Sequence, residues 1–239
     1  MHEPYEAPAF FAAHPEFDLV VLGYGANRCF VDLEPLGVVA RFVAAEEAPD
    51  LVAHYLAANR RCFGGPVELP GWVLADLYLL PGVVTLLVDH TESSAPVVAA
   101  WCGVPTVEAG VVMGVSLLSL RPGIGAATLV KRLGLAVLRA RVQRGVTQWN
   151  NPAIRSHTRL GDLRILGPAP QVHGQAERSF VYELTLGEAR RLVKRRTPWR
   201  DGPECASEAA KGAKRWLVAP GLDGGTLFLA EEPSDREVE

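Results

Sequence analysis

Residues 108–161 read EAGVVMGVSLLSLRPGIGAATLVKRLGLAVLRARVQRGVTQWNNPAIRSHTRLG, and this stretch decides the fold. Twelve uncharged residues lie between Glu108 and Arg121. Their apolar members do not alternate cleanly with polar ones, which predicts a strand over 111–120 covered on both faces. Arg121-Pro122-Gly123-Ile124-Gly125 breaks it. Residues 126–144 then predict a long helix, with Leu129, Val130, Leu133, Val137 and Leu138 on its apolar face and Lys131, Arg132, Arg139, Arg141 and Arg144 on its wet one. Gly145 reads as its C-cap, and 146–149 as a short strand. Asn150 or Asn151 then caps a helix with Pro152 early in it, running to about Leu160 and stopped by Gly161.

Outward from this unit, 1–17 reads as an irregular arm with Pro4, Pro8 and Pro15. Strands are expected at 18–22 and 37–44, and a helix from Pro49 through Arg61, stopped by Gly64-Gly65-Pro66. The apolar segments 72–80, 83–88 and 96–103, each bounded by turn residues, predict an antiparallel meander, and 179–186 a late strand. After Leu186 the chain changes character. Residues 187–196 read as a short basic helix, 216–219 and 226–230 as a hairpin, and the end is acidic. The expected fold class is α/β, a mixed and mostly antiparallel central sheet flanked by helices. The expected organisation is an arm (1–17), one domain (18–186) and a C-terminal extension (187–239).

Composition excludes several classes. The chain has 239 residues, 49% hydrophobic and 21% charged, too apolar for disorder. Its longest uncharged stretch, 93–107, is fifteen residues and contains Pro96 and Pro105, too short and broken for a membrane span of about 20. The N-terminus lacks a basic start, and a cytoplasmic location is expected. Cys29, Cys62, Cys102 and Cys205 show no CxxC spacing, and the six histidines form no HExxH or Cys/His cluster, so no metal is expected. Net charge of −3 points away from a nucleic-acid partner. The local basic run over 190–215 reads as a solvated surface helix.

The chemistry centres on the glycine turn. A Gly-x-Gly turn feeding a helix offers unpaired N–H groups, a positive dipole end and close backbone approach, which suits a phosphate. A plain tight turn explains the two glycines equally well. The downstream pattern Asn150-x-x-Ala153-x-x-x-His157-x-x-x-Gly161 sharpens the reading. With the turn before it, the chain resembles the GNAT superfamily of acyl-CoA acyltransferases, best over residues 108–165. Those proteins place R/Q-x-x-G-x-G/A between a central strand and a long helix, then a helix of pattern N-x-x-A-x-x-x-Y-x-x-x-G-F. Here Leu120 stands at the first position with Arg121 one place late, His157 stands for the tyrosine, and Asp162 for the phenylalanine. The resemblance implies that acetyl-CoA or a longer acyl-CoA is the co-substrate. The backbone of Leu118, Ser119 and Leu120 would hold pantetheine as an added strand. Arg121, Gly123, Ile124, Gly125 and Ala126 would hold the pyrophosphate, with Asn150 beside the cofactor. It also implies that a main-chain N–H stabilises the oxyanion formed when an amine attacks the thioester, and that His157 protonates the leaving thiolate. A packed helix histidine is the other reading of His157.

Glu108 is the preferred general base because its strand leads to the turn, ahead of Asp89 and His90. All three also read as simple strand-end residues. Ser116 and Ser119 lack the context of a hydrolase elbow. Trp72 and Trp101 would wall an acceptor site for a small, apolar amine, although core packing is the default for both and for Trp149. A homodimer is left open. Two other functions remain. One is a GNAT-like binding module without catalysis. The other is a Rossmann-type, NAD(P)-dependent oxidoreductase using Gly23 and Gly25, with Glu46 and Glu47 about twenty residues on. Against the latter, Arg28 stands at the third glycine and Pro35 leaves no room for a crossover helix, so a turn between antiparallel strands is expected there.

Overall fold

The computed structural model describes residues 7–64, 81–94, 96–169, 179–187, 196–221 and 226–232. Its contacts divide the chain into two compact units, Met1–Arg141 and Val142–Glu239. The strand expected over 72–80, with Trp72, and the basic helix expected over 187–196 lie wholly or largely outside the described residues.

In the first unit the strands stand in the order β2-β1-β3-β4-β5. These are β1 (Phe17–Gly23), β2 (Ala40–Ala44), β3 (Val83–Asp89), β4 (Val97–Pro105) and β5 (Val111–Ser119). β3, β4 and β5 form the expected antiparallel meander. β1 is antiparallel to β3 and parallel to β2. The expectation of antiparallel strands around Gly23–Gly25 is thus corrected. Two 3-10 segments (Gly25–Phe30 and Glu34–Val39) carry the chain back so that β2 runs alongside β1. The arm also contains a helix, α1 (Ala7–Ala13), because Pro8 falls in its first turn, where a missing N–H costs nothing.

Helix α2 (Pro49–Phe63) packs on one face of this sheet and α3 (Ala126–Val137) on the other. Strand side chains alternate between faces. Val84, Leu86, Ala100, Cys102, Val104 and Leu118 accordingly join Tyr55 and Ala58 of α2 in one core cluster. On the opposite face Thr85 donates its hydroxyl to the Val130 carbonyl of α3 (2.8 Å), and Trp101, 1% exposed, lies under Gly134. Lys131, read as part of the wet face, is fully buried, and burial drives its ammonium pKa well below the ordinary value. β5 is not covered on both faces. Met113 is 42% and Val115 36% exposed.

The second unit is wholly antiparallel, in the order β6-β8-β7-β10-β11-β9. Its strands are β6 (Val142–Gln148), β7 (Gly161–Pro168), β8 (Ser179–Leu186), β9 (Arg196–Pro198), β10 (Trp216–Pro220) and β11 (Leu227–Glu231). α4 (Ala153–Thr158) and α5 (Gly202–Ala210) pack on β7. The expected hairpin is β10–β11, and β10 pairs with β7. The solvated basic helix expected over 190–215 is corrected within 196–215. β9 and α5 occupy it, and Cys205 and Ala206 of α5 are buried. No helix among the described residues is long and apolar enough to cross a membrane. The mixed, mostly antiparallel sheet architecture flanked by helices is the fold class that the sequence predicts.

Candidate active site

The strand, turn and helix of residues 118–126 form one continuous feature. Leu118 and Ser119 pair with Ala100 and Ala99 of β4, and the Leu120 N–H continues the ladder to the Val98 carbonyl at 2.8 Å. The Ser119 hydroxyl donates to the Arg121 carbonyl (3.1 Å), closing the turn. Gly123 and Gly125 have φ of 93° and 82°, values that side chains with a Cβ adopt only under strain. Around the point where a Cβ would sit at either glycine, no described atom lies within 4 Å. Gly125 is the N-cap of α3, and no side chain caps the helix. The first N–H groups of α3 therefore have neither an intrahelical acceptor nor a side-chain cap, and they face the positive end of a twelve-residue helix. The space beside both glycines is clear of described atoms, and the helix start behind them is uncapped.

Arg121 has another partner. Its guanidinium donates to Asp89 Oδ2 at 2.6 Å and lies over the Phe17 ring at 5.3 Å. Asp89 also accepts the Thr91 hydroxyl (2.5 Å) and N–H (3.0 Å). The Thr91 hydroxyl first, then its N–H and Arg121, hold the Asp89 carboxyl below the usual range against the opposing effect of burial. The ion pair ties the turn to the end of β3. The sequence named both residues, one as phosphate ligand and one as candidate base, and missed their pairing because 32 residues separate them.

Glu108 lies in the turn between β4 and β5, its N–H on the Thr106 hydroxyl (3.1 Å). The nine residues of β5 separate it from the glycine turn, about 25–30 Å at 3.3 Å per residue. The structure does not bring them together. His90 lies at the outer end of β3 with Asp18 3.7 Å away. Trp101 packs in the core, so it forms no wall of an open site.

In the second unit, Asn151 rather than Asn150 closes the start of α4, its Oδ1 accepting the Ala153 N–H at 2.9 Å. Asn150 is exposed. His157 is 4% exposed, and its ring lies 4.9 Å from that of Tyr182. Trp149 packs 4.1 Å from Phe180 and 5.0 Å from Trp199. The early Gly23–Gly25 segment offers no phosphate site. The Gly25 N–H is held by both oxygens of Glu46, at 2.9 and 3.2 Å, which places a carboxylate where a dinucleotide would need its phosphates. Among the described residues, no group of three or more His, Cys, Asp or Glu side chains could hold a metal.

Solved acetyltransferases are similar to this chain in fold. One is yncA from Salmonella typhimurium with its cofactor acetyl-CoA, at 18% identity and TM-score 0.42, over 65% of this chain and 97% of that one. Another is the ribosomal-protein-alanine N-acetyltransferase from Brucella melitensis, at 18% identity and TM-score 0.42, over 61% and 98%. Nourseothricin acetyltransferase matches at 11% identity and TM-score 0.37, over 44% of this chain and 66% of its own length. A likeness of this size says nothing about activity. No family model matches the chain, and no curated protein does.

Proposed function

We propose that the chain is an acyltransferase that moves an acyl group from acetyl-CoA or a longer acyl-CoA to an amine. The observation that carries the reading is the turn at Gly123–Gly125, with its two positive φ values, its clear space and an uncapped helix behind it. In this reading the N–H groups of Gly123, Ile124, Gly125 and Ala126 hold the pyrophosphate, and the backbone of Leu118, Ser119 and Leu120 lies along the pantetheine arm. Arg121 acts through Asp89 by fixing the turn and leaves phosphate contact to the backbone. The thioester supplies an activated acyl carbon. A neutral amine attacks it, a backbone N–H of β5 stabilises the oxyanion, and His157 is assigned the proton for the leaving thiolate. Glu108, at the end of β5 away from the turn, is kept as the candidate general base for the amine. The acceptor is taken to be a small, apolar amine, and the location cytoplasmic, in keeping with four free cysteines.

A second reading keeps the CoA site and drops catalysis. The burial of His157 against Tyr182 favours it. Calorimetric titration with CoA and acetyl-CoA, followed by turnover against a panel of amines, separates the possibilities. Saturable binding with turnover supports the transferase, and saturable binding alone supports the module. No heat at millimolar ligand removes both.

A further inference from the structure

We propose that Ser116 is a catalytic hydrogen-bond donor in this reaction and that Tyr55 is the residue that positions it. This rests on the acyl-transfer reading above and adds a residue to that site. Cross-strand partners fix the face on which Ser116 stands. Leu118 lies opposite Ala100, Ser116 opposite Cys102 and Met113 opposite Val104. Ala100, Cys102, Val104 and Leu118 all belong to the cluster around Tyr55. Ser116 thus occupies the border of that cluster, half-buried, between Leu118 at 3% and Met113 at 42% exposure. It is also two residues from the backbone assigned to pantetheine, on the side away from the pyrophosphate turn, where the thioester would lie.

Two further features mark the position. The register between β4 and β5 shifts there. Cys102 faces Ser116 while Gly103 faces Gly114, so Val115 is an extra residue in β5. Bulges of this kind re-aim side chains and recur beside active sites. The second feature is the partner. Tyr55 is fully buried, and its hydroxyl, which also interacts with Asn59 and Cys102, lies 3.1 Å from Ser116 Oγ. Burial, and next the neighbouring Cys102, push the phenol well above its ordinary pKa. Either hydroxyl of this pair can be the donor; the proposal gives that role to Tyr55, which burial keeps protonated. With Tyr55 as donor the Ser116 proton is free to point away from the cluster, and a hydroxyl that accepts one hydrogen bond is polarised to donate another.

The step is acyl transfer without any redox partner. The amine nitrogen bonds to the thioester carbon, and the carbonyl oxygen takes the negative charge. Ser116 O–H donates a hydrogen bond to that oxygen without losing its proton. Collapse breaks the C–S bond, the thiolate takes the proton assigned to His157, and the proton released by the amine nitrogen restores His157 by way of solvent. One such donor is worth about 10²–10³ in turnover at a fully enclosed site. At a half-open one, Ser116→Ala should lower kcat about tenfold to hundredfold. KM for acyl-CoA should stay within about twofold, because the ground-state carbonyl makes little of the bond.

The test uses the full chain, with acetyl-CoA and an amine that the wild type accepts, and thermal unfolding run on every variant. Tyr55→Phe, which keeps the ring in the core, should lower kcat less than Ser116→Ala, and the double variant should be no slower than Ser116→Ala alone. Ser116→Thr, which restores the hydroxyl, should recover part of the loss. If wild type turns over and Ser116→Ala keeps its kcat while only its Tm falls, the hydroxyl serves Tyr55 alone and this proposal is overturned by itself. If wild type binds no CoA or transfers no acyl group, the acyltransferase reading fails and takes this proposal with it.

Discussion

Gly125→Ala separates a ligand cradle from an ordinary tight turn. Gly125 has φ 82° and ψ −1°, and a residue with a Cβ pays about 1–2 kcal/mol to stay in that left-handed region. Nothing described lies within 4 Å of the added carbon, so no steric clash adds to that cost. For a chain of this length the strain corresponds to a fall in Tm of roughly 2–8 °C. The same methyl would occupy the space assigned to the pyrophosphate and swing the first N–H groups of α3. CoA affinity should therefore fall at least about tenfold, equivalent to about 1.4 kcal/mol. Gly212→Ala is the matched control, with φ 67° and the same clear surroundings. It carries similar strain and should leave CoA affinity unchanged. Calorimetry at a temperature where all three proteins are folded gives the comparison. A Gly125→Ala protein that loses stability like the control but binds CoA within about twofold of wild type would refute the reasoning.

Three other outcomes follow from the packing. Gly134→Ala puts a methyl 2.1 Å from Trp101 Cε3 and 2.8 Å from Thr85 Oγ1. It should lower stability by about 1–3 kcal/mol or more in thermal melts, with CoA affinity of the folded protein retained. Asp89→Asn removes the ion pair to Arg121. Because the folded carboxyl pKa is depressed, its stabilisation is present above the ordinary value of about 3.9 and is lost as pH falls through the folded pKa. The Tm gap between wild type and variant should be widest near neutrality and narrow as pH falls through the folded pKa, below the ordinary carboxylate value of about 3.9, and a gap constant with pH would contradict the assignment. His157→Phe should lower kcat about hundredfold with CoA affinity held. An unchanged kcat with a lowered Tm would reassign His157 to packing on Tyr182.

The part of the fold nearest the turn was the most legible in sequence. β3, β4, β5 and the start of α3 lie where the apolar runs and their Gly/Pro breaks predicted. The end of α3 was misread for a physical reason. The helix stops at Val137, and Arg139 (φ 50°) turns the chain into β6. The residues that β6 buries are Gln143, Gly145 and Thr147, while Val146 is 51% exposed. A strand with its polar and small residues inside inverts the usual pattern, so Gly145 looked like a helix cap. It is in fact a strand glycine, where a Cβ would come within 2.7 Å of the Tyr182 hydroxyl. β7, unpredicted, alternates Leu163 and Ile165 inward over only eight residues, after a glycine that looked like a stop. Within the candidate site, contiguous residues were legible and distant partners were not. Gly123 and Gly125 needed only local backbone chemistry. The Arg121–Asp89 and Tyr55–Ser116 pairs span 32 and 61 residues, and no local pattern carries them.

The central claim is that backbone N–H groups at the start of α3 hold the phosphates of a CoA thioester. Amide chemical-shift titration of isotope-labelled protein with CoA reads those groups individually. The account predicts saturable shifts largest at Gly123, Ile124, Gly125 and Ala126, with Gly25 unmoved because Glu46 already holds it. An absence of shifts at the four amides at millimolar CoA, or shifts confined to other parts of the chain, would contradict it.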